Sequence, residues 1–221
     1  MKRLLITLGF IVIIFSTGYA TVFAHQPYLI GKESTVTVVD PEVSKAYYAE
    51  LNGSPAVYTL TSDKPFELYA NILVPDIVGI TKDFSAVIRA KDGKEIVKID
   101  GEHFQWEHWY EDFAGDWYWK GPEFKQTIPA GTYTITVSNP TNSGKYVLAP
   151  GEAEVFTLGG TPHTIKEIYS VKTKFFGKPG YAVFEGIIGK AMLGILVFIL
   201  LIIILGWYVV HRRRQKIRAI L

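Results

Sequence analysis

Residues 128–149 read IPAGTYTITVSNPTNSGKYVLA. From Gly131 to Val137 apolar and β-branched side chains alternate with threonines, which places Tyr133, Ile135 and Val137 on one side of an extended chain. Asn139-Pro140-Thr141-Asn142-Ser143-Gly144 is a cluster of turn residues, and Lys145–Ala149 is extended again. The period is two, not 3.6. That decides the fold class.

The same rhythm continues outward in Ser34–Val39, Ala56–Leu60, Phe66–Val74, Phe84–Ala90, Glu95–Ile99 and Ala153–Leu158. Turn chemistry separates these runs at Asn52-Gly53-Ser54-Pro55, Ser62-Asp63-Lys64-Pro65 and Lys91-Asp92-Gly93-Lys94, where Asp92-Gly93 predicts a tight hairpin. Eight short strands with little helix between them predict a mainly β domain over 25–160, an antiparallel sandwich of jelly-roll type. Two segments break the pattern. Glu42–Leu51 follows Asp40-Pro41, a cap residue with proline at the first helical position, and predicts a short helix. Thr161–Phe176 repeats a Thr-Pro start and predicts a helix within a juxtamembrane segment, 161–190. Ile165, Ile168, Tyr169 and Phe176 share one face there, with Lys166, Lys172 and Lys174 turned elsewhere. Packing beneath the sandwich is favoured over lying on the bilayer.

The two ends place the chain. Met1–Ala24 has the parts of a secretory signal: Lys2 and Arg3, an apolar run over Leu4–Phe15, and Val22-Phe23-Ala24 before a cut that would expose His25. A cut after Ala20 and an uncleaved anchor are the alternatives. Ala191–Val210 is a charge-free run of helix-spanning length, closed by Trp207 and Tyr208 and followed by the basic residues 211–221. The expectation is a single-pass cell-membrane protein with its domain outside and its tail in the cytoplasm. With the basic residues at both ends set aside, 15 Lys and Arg stand against all 21 acidic residues, so the middle is net −6. Nucleic acid is excluded as a partner by that sign. The absence of cysteine excludes a disulfide scaffold, thiolate zinc, a thiol nucleophile and a lipid-anchored cysteine.

The hairpin-like pattern in Ile128–Val137 and Gly144–Ala149 resembles the closing hairpin of bacterial pre-peptidase C-terminal-type β-sandwich domains. Such domains are often accessory modules, which implies a non-catalytic role and supplies no ligand. More of the chain resembles a group of uncharacterised bacterial single-pass membrane proteins with a β-sandwich ectodomain, through His25-Gln26-Pro27, Asp40–Tyr48, Leu73–Ile77 and Gly121–Phe124. That resemblance implies an architecture and no activity.

Chemistry concentrates in Glu102–Lys120, EHFQWEHWYEDFAGDWYWK, which holds eight aromatic residues interleaved with acids and two histidines. Rings beside carboxylates suit sugars, because the ring stacks on C–H faces and the acids accept hydroxyl hydrogen bonds. The candidate ligand-binding set is Trp106, Trp109, Trp117, Trp119, Tyr110, Glu107, Asp112 and Asp116. The competing reading is that these rings fill the core or cap the sandwich. Asp112, Asp116 and Glu123 are candidate calcium ligands, although the spacing matches no EF-hand. Copper has a narrower route: His25, if it becomes the mature N-terminus, with His103, His108 or His163 as second ligand. There is no GxSxG, SxxK, HExxH or phosphate-cradling glycine loop. The sequence therefore predicts a non-catalytic binding module whose partner is envelope polysaccharide. The alternatives are a structural or assembly protein that binds a membrane partner, and a copper- or calcium-binding protein.

Overall fold

The computed structural model describes residues 25–155 and 161–218. The expected signal peptide, and Phe156–Leu158 of the last expected strand, lie outside the described residues. Among the described residues the strands are β1 (Gln26–Gly31), β2 (Thr35–Val38), β3 (Lys45–Asn52), β4 (Ala56–Ser62), β5 (Phe66–Pro75), β6 (Ser85–Ala90), β7 (Glu95–Ile99), β8 (Glu107–Glu111), β9 (Asp116–Ile128), β10 (Gly131–Ser138) and β11 (Ser143–Pro150). They form a six-stranded sheet, β1-β3-β11-β5-β9-β8, facing a five-stranded sheet, β2-β4-β10-β6-β7. The expected sandwich is present. Both sheets are mixed, however, because β1 runs parallel to β3 and β2 parallel to β4.

Strands β10 and β11 sit in the middle of the two sheets. They are therefore an arch between layers, and not the paired hairpin that the motif suggested. Asn139 holds the arch: its Nδ2 donates to the Ser143 carbonyl at 2.9 Å and its Oδ1 accepts from the Ser143 N–H at 3.1 Å. The threonine/apolar alternation lands as expected, with Tyr133, Ile135 and Val137 buried between the sheets. Tyr58, Leu60, Leu68, Ile72, Ile88 and Leu148 complete the centre of that core. The Asp92-Gly93 turn also forms, joining β6 to β7 with Gly93 at φ 86°.

The helix expected over Glu42–Leu51 is absent; Lys45–Leu51 belong to β3, and Glu42–Ser44 lead into it. Asp40 takes a left-handed φ of 47° and opens a turn in which the Val43 N–H bonds the Asp40 carbonyl at 3.0 Å. The strand then enters the sheet between β1 and β11. Its Tyr47, Ala49 and Leu51 face the sandwich, while Ala46 and Tyr48 face a second, outer core. Burial on both faces removes the alternation that would have marked a strand.

That outer core is covered by the segment after the sandwich. Helix α1 (Thr161–Ser170) runs into a π-helical turn, Val171–Phe175, then a 3-10 turn, Gly180–Phe184, then the long helix α2 (Ile187–Arg218). Val171 and Phe175 pack on Tyr48, Tyr118 and Val147, and Glu167 accepts the Leu29 N–H at 3.2 Å. The segment thus packs on the sandwich, as favoured. Lys172 departs from expectation. The π turn closes with the Phe176 N–H on the Val171 carbonyl, which rotates position 172 inward, and its side chain is fully buried. Within α2, Ile187–Arg212 is long and apolar enough to cross a membrane, and its most apolar stretch is not buried against the sandwich.

Candidate functional site

Strands β8 and β9 form a two-stranded ribbon at one edge of the larger sheet, paired Glu107↔Lys120 through Glu111↔Asp116. Alternation divides the aromatic segment between two faces. Trp109 and Tyr118 lie on the face turned to the outer core, with ring centroids 6.1 Å apart. His108, Tyr110, Trp117 and Trp119 lie on the other. There they build a continuous ladder: Tyr110 to Trp117 at 4.9 Å, Trp117 to His108 at 4.5 Å and 13°, and His108 to Trp119 at 4.7 Å. Trp117 is 47% exposed, and His108 is exposed beside it.

The loop after β5 closes the ladder's far end. Asp76 accepts from His108 Nε2 at 2.9 Å and from Trp119 Nε1 at 3.1 Å, so one carboxylate fixes two ring orientations. Lys82 Nζ stands 3.6 Å above the Trp119 ring, a cation–π contact. Neither Asp76 nor Lys82 was expected from sequence, because both lie twenty or more residues upstream of the aromatic segment. Trp106 serves the core instead. Its Nε1 donates to the Gly101 carbonyl at 2.8 Å, and its ring covers Gly121, where a Cβ would lie 2.5 Å from it. Glu107 is exposed.

The ribbon's tip is fastened to α2. The Ile187 N–H donates to the Asp112 carbonyl at 3.0 Å and the Ile188 N–H to the Phe113 carbonyl at 3.4 Å. These are donors that a helix start leaves without intrahelical partners. Glu111 folds the tip by accepting from the Phe113 and Ala114 N–H groups at 2.7 and 2.8 Å. Burial raises its pKa, against the pull of those two bonds. Next to it, Asp116 is fully buried between Lys172, 2.9 Å away as an ion pair without hydrogen-bond alignment, and Lys178, hydrogen-bonded at 2.9 Å. Glu185 meets both ammonium groups, at 3.3 Å and 2.8 Å. Burial alone would lower the Lys178 pKa; its bonds to Glu185 and Asp116 outweigh that and leave it raised.

The other expected ligands do not converge. Asp116 is engaged by two lysines, Asp112 is exposed at the tip, and Glu123 is bound by Tyr69 at 3.0 Å and Lys120 at 3.2 Å. His25 precedes one edge strand of the large sheet and bonds Ser44 at 2.6 Å, with burial lowering its pKa against the charge of Glu152. His108 is on the opposite edge strand, and His103 bonds Asp100 at 3.1 Å. The side chain of His163 lies outside the described residues. Among the described residues, the group able to converge on a metal is Asp100, Glu102 and His103, with Glu102 and His103 exposed. A cavity of about 30 Å³, the size of one water, lies between His25, Tyr48, Glu111, Phe113 and Ile168.

No family model and no curated protein matches the chain. Among solved structures it is similar to the pre-peptidase C-terminal domain of a Bacillus anthracis collagenase, at 13% identity over 59% of this chain and 98% of that one, TM-score 0.32. It is also similar to the Yersinia pseudotuberculosis-derived mitogen, at 13% identity over 52% and 90%, TM-score 0.33. A surface-associated copper-binding protein of Methylomicrobium album matches at 7% identity over 54% and 98%, TM-score 0.29. At these scores the likeness carries no function.

Proposed function

We propose that this chain is a single-pass membrane protein whose sandwich is a non-catalytic binding module for a partner anchored in the same membrane. The supporting observation is the fastening of the aromatic ribbon to α2 through Asp112, Phe113 and the Asp116–Lys172–Lys178–Glu185 cluster. A rigid mount holds the ladder at one height beside the helix, which suits a partner whose own position is fixed by the bilayer. The basic residues after Val210 orient the tail to the cytoplasm and the sandwich outward. Of the ribbon's acids, Glu111 and Asp116 stabilise its tip and mount, and the rings are the main surface left for recognition.

The exposed Trp117 also supports a second reading, envelope polysaccharide. Sugar stacking needs an open ring face, and Trp117 stacks on His108 and also meets Tyr110 at 4.9 Å, which reduces the face left for a sugar. That favours the membrane partner. The test is a photo-crosslinking residue at position 117 in intact membranes, with position 94 on the β6–β7 turn as control. A single adduct from 117, lost in His108→Ala, is the expected result. No adduct from 117, together with a saturable tryptophan fluorescence shift on adding polysaccharide, overturns this reading in favour of the second.

A further inference from the structure

Helix α2 carries aromatic residues of the interfacial kind at one end only, Trp207 and Tyr208. Counting back twenty residues from Trp207 reaches Ile187, and at about 1.5 Å per residue this spans ~30 Å, the thickness of a hydrocarbon layer. Membrane helices gather tryptophan and tyrosine at both interfaces. From Ile187 to Val197 this helix has none.

The missing rings are on the domain. Tyr181, in the 3-10 turn leading into α2, is 73% exposed. Tyr169, at the end of α1, is half exposed and lies over Gly180, whose Cβ would stand 3.0 Å from its ring. The depth of this surface is set by an independent contact, since the Asp112 and Phe113 carbonyls bond the first N–H groups of α2. Exposed Lys190 sits one turn further in. Helical side chains slant toward the N-terminus, so its ammonium rises back toward the phosphates.

We infer that Tyr169, Tyr181 and the β8–β9 tip sit in the headgroup layer of the outer leaflet, and that lipid headgroups cover this face. The domain itself then supplies the outer aromatic belt that α2 lacks. This rests on the reading of α2 as a membrane span. The domain is seated on the bilayer at two places, the helix and the tyrosines, with the ladder standing above.

The chain has no cysteine, so single cysteines carry spin labels without background. The experiment places labels at Tyr181→Cys, Asp112→Cys, Ile199→Cys and Lys94→Cys in the full chain, in vesicles of phosphatidylcholine and phosphatidylglycerol. Power saturation against oxygen and a water-soluble nickel complex reads depth. The oxygen-to-nickel ratio is expected to be highest at 199, lowest at 94, and several-fold above 94 at 181 and 112. A hydrocarbon value at 199 with 181 and 112 equal to 94 overturns the seating alone. An aqueous value at 199 overturns the span as well. Dipolar broadening between labels at 181 assigns the face to a second copy of the chain, and equally overturns the lipid contact.

Discussion

Gly115 and Gly186 meet backbone to backbone. A Cβ on Gly115 would stand 2.5 Å from the Gly186 nitrogen, and a Cβ on Gly186 would stand 2.2 Å from the Phe113 carbonyl oxygen. Gly115 also has φ +78°. Gly115→Ala should therefore destabilise the protein by ~2 kcal/mol or more, from left-handed strain plus the lost seam. Gly53, at φ +82° with nothing within 4 Å, is the control, because Gly53→Ala adds the strain alone. Denaturant unfolding of both variants in detergent, followed by tryptophan fluorescence, measures the difference. Equal losses would mean that the seam contributes nothing.

Asp116→Asn leaves Lys172 buried with half its charge compensation gone. The expected loss is about 3–5 kcal/mol, the range for breaking a buried pair. Replacing both residues, Asp116→Asn with Lys172→Met, should recover much of it, because no uncompensated charge remains. A double variant as unstable as the single one would show that the cluster acts by shape rather than by charge.

The tip and mount carry opposite pH signatures. Burial raises the Glu111 pKa above the ordinary 4.5, so the stability it confers is fully present below that pH and is lost as pH rises through the raised value. For Glu185, burial pushes up, but its bond to Lys178 and the charges of Lys172 and Lys178 outweigh this and lower the pKa. Its contribution is present above 4.5 and is lost as pH falls through the lowered value. In a urea-midpoint series across the acid range, Glu111→Gln should flatten the alkaline flank and Glu185→Gln the acid flank. A uniform offset for Glu111→Gln would instead assign its role to the Phe113 and Ala114 hydrogen bonds.

Between the sheets, the Tyr58 and Tyr146 hydroxyls share a hydrogen bond of 2.9 Å and both side chains are fully buried. Removing one hydroxyl strands the other, at about 1–3 kcal/mol. Tyr58→Phe with Tyr146→Phe should be no worse than either single change. Additive losses in the thermal midpoints would contradict this.

Seven of the eight expected strands are present. In β2, β4, β6 and β10 burial on one face leaves a period of two in the sequence, while β5 and β11, buried on both faces over part of their length, are marked by apolar runs between turn residues. β3 was illegible because it has neither mark. Buried on both faces, it shows Lys-Ala-Tyr-Tyr-Ala-Glu-Leu, a run compatible with a helix, and Asp40-Pro41 supplied a helix start that the structure uses as a turn. The aromatic segment concealed a ribbon whose parity is visible once the four-residue turn ending at Gly115 is recognised. Trp109 and Tyr118 then separate from His108, Tyr110, Trp117 and Trp119. The mount was out of reach. Asp116, Lys172, Lys178 and Glu185 are spread over seventy residues, and only the π turn brings Lys172 inward.

The arch through Asn139 has a consequence for biogenesis. Because β10 separates β4 from β6, and β11 separates β3 from β5, neither layer can close until residues 131–150 have been synthesised and delivered. Earlier strands can pair only in partial sets: β1 with β3, β2 with β4, β6 with β7, and β9 with β5 and β8. A nascent polypeptide stopped short of Gly131 would lack the centre of both layers, so assembly of the domain is deferred to nearly the last moment before the hydrophobic helix emerges.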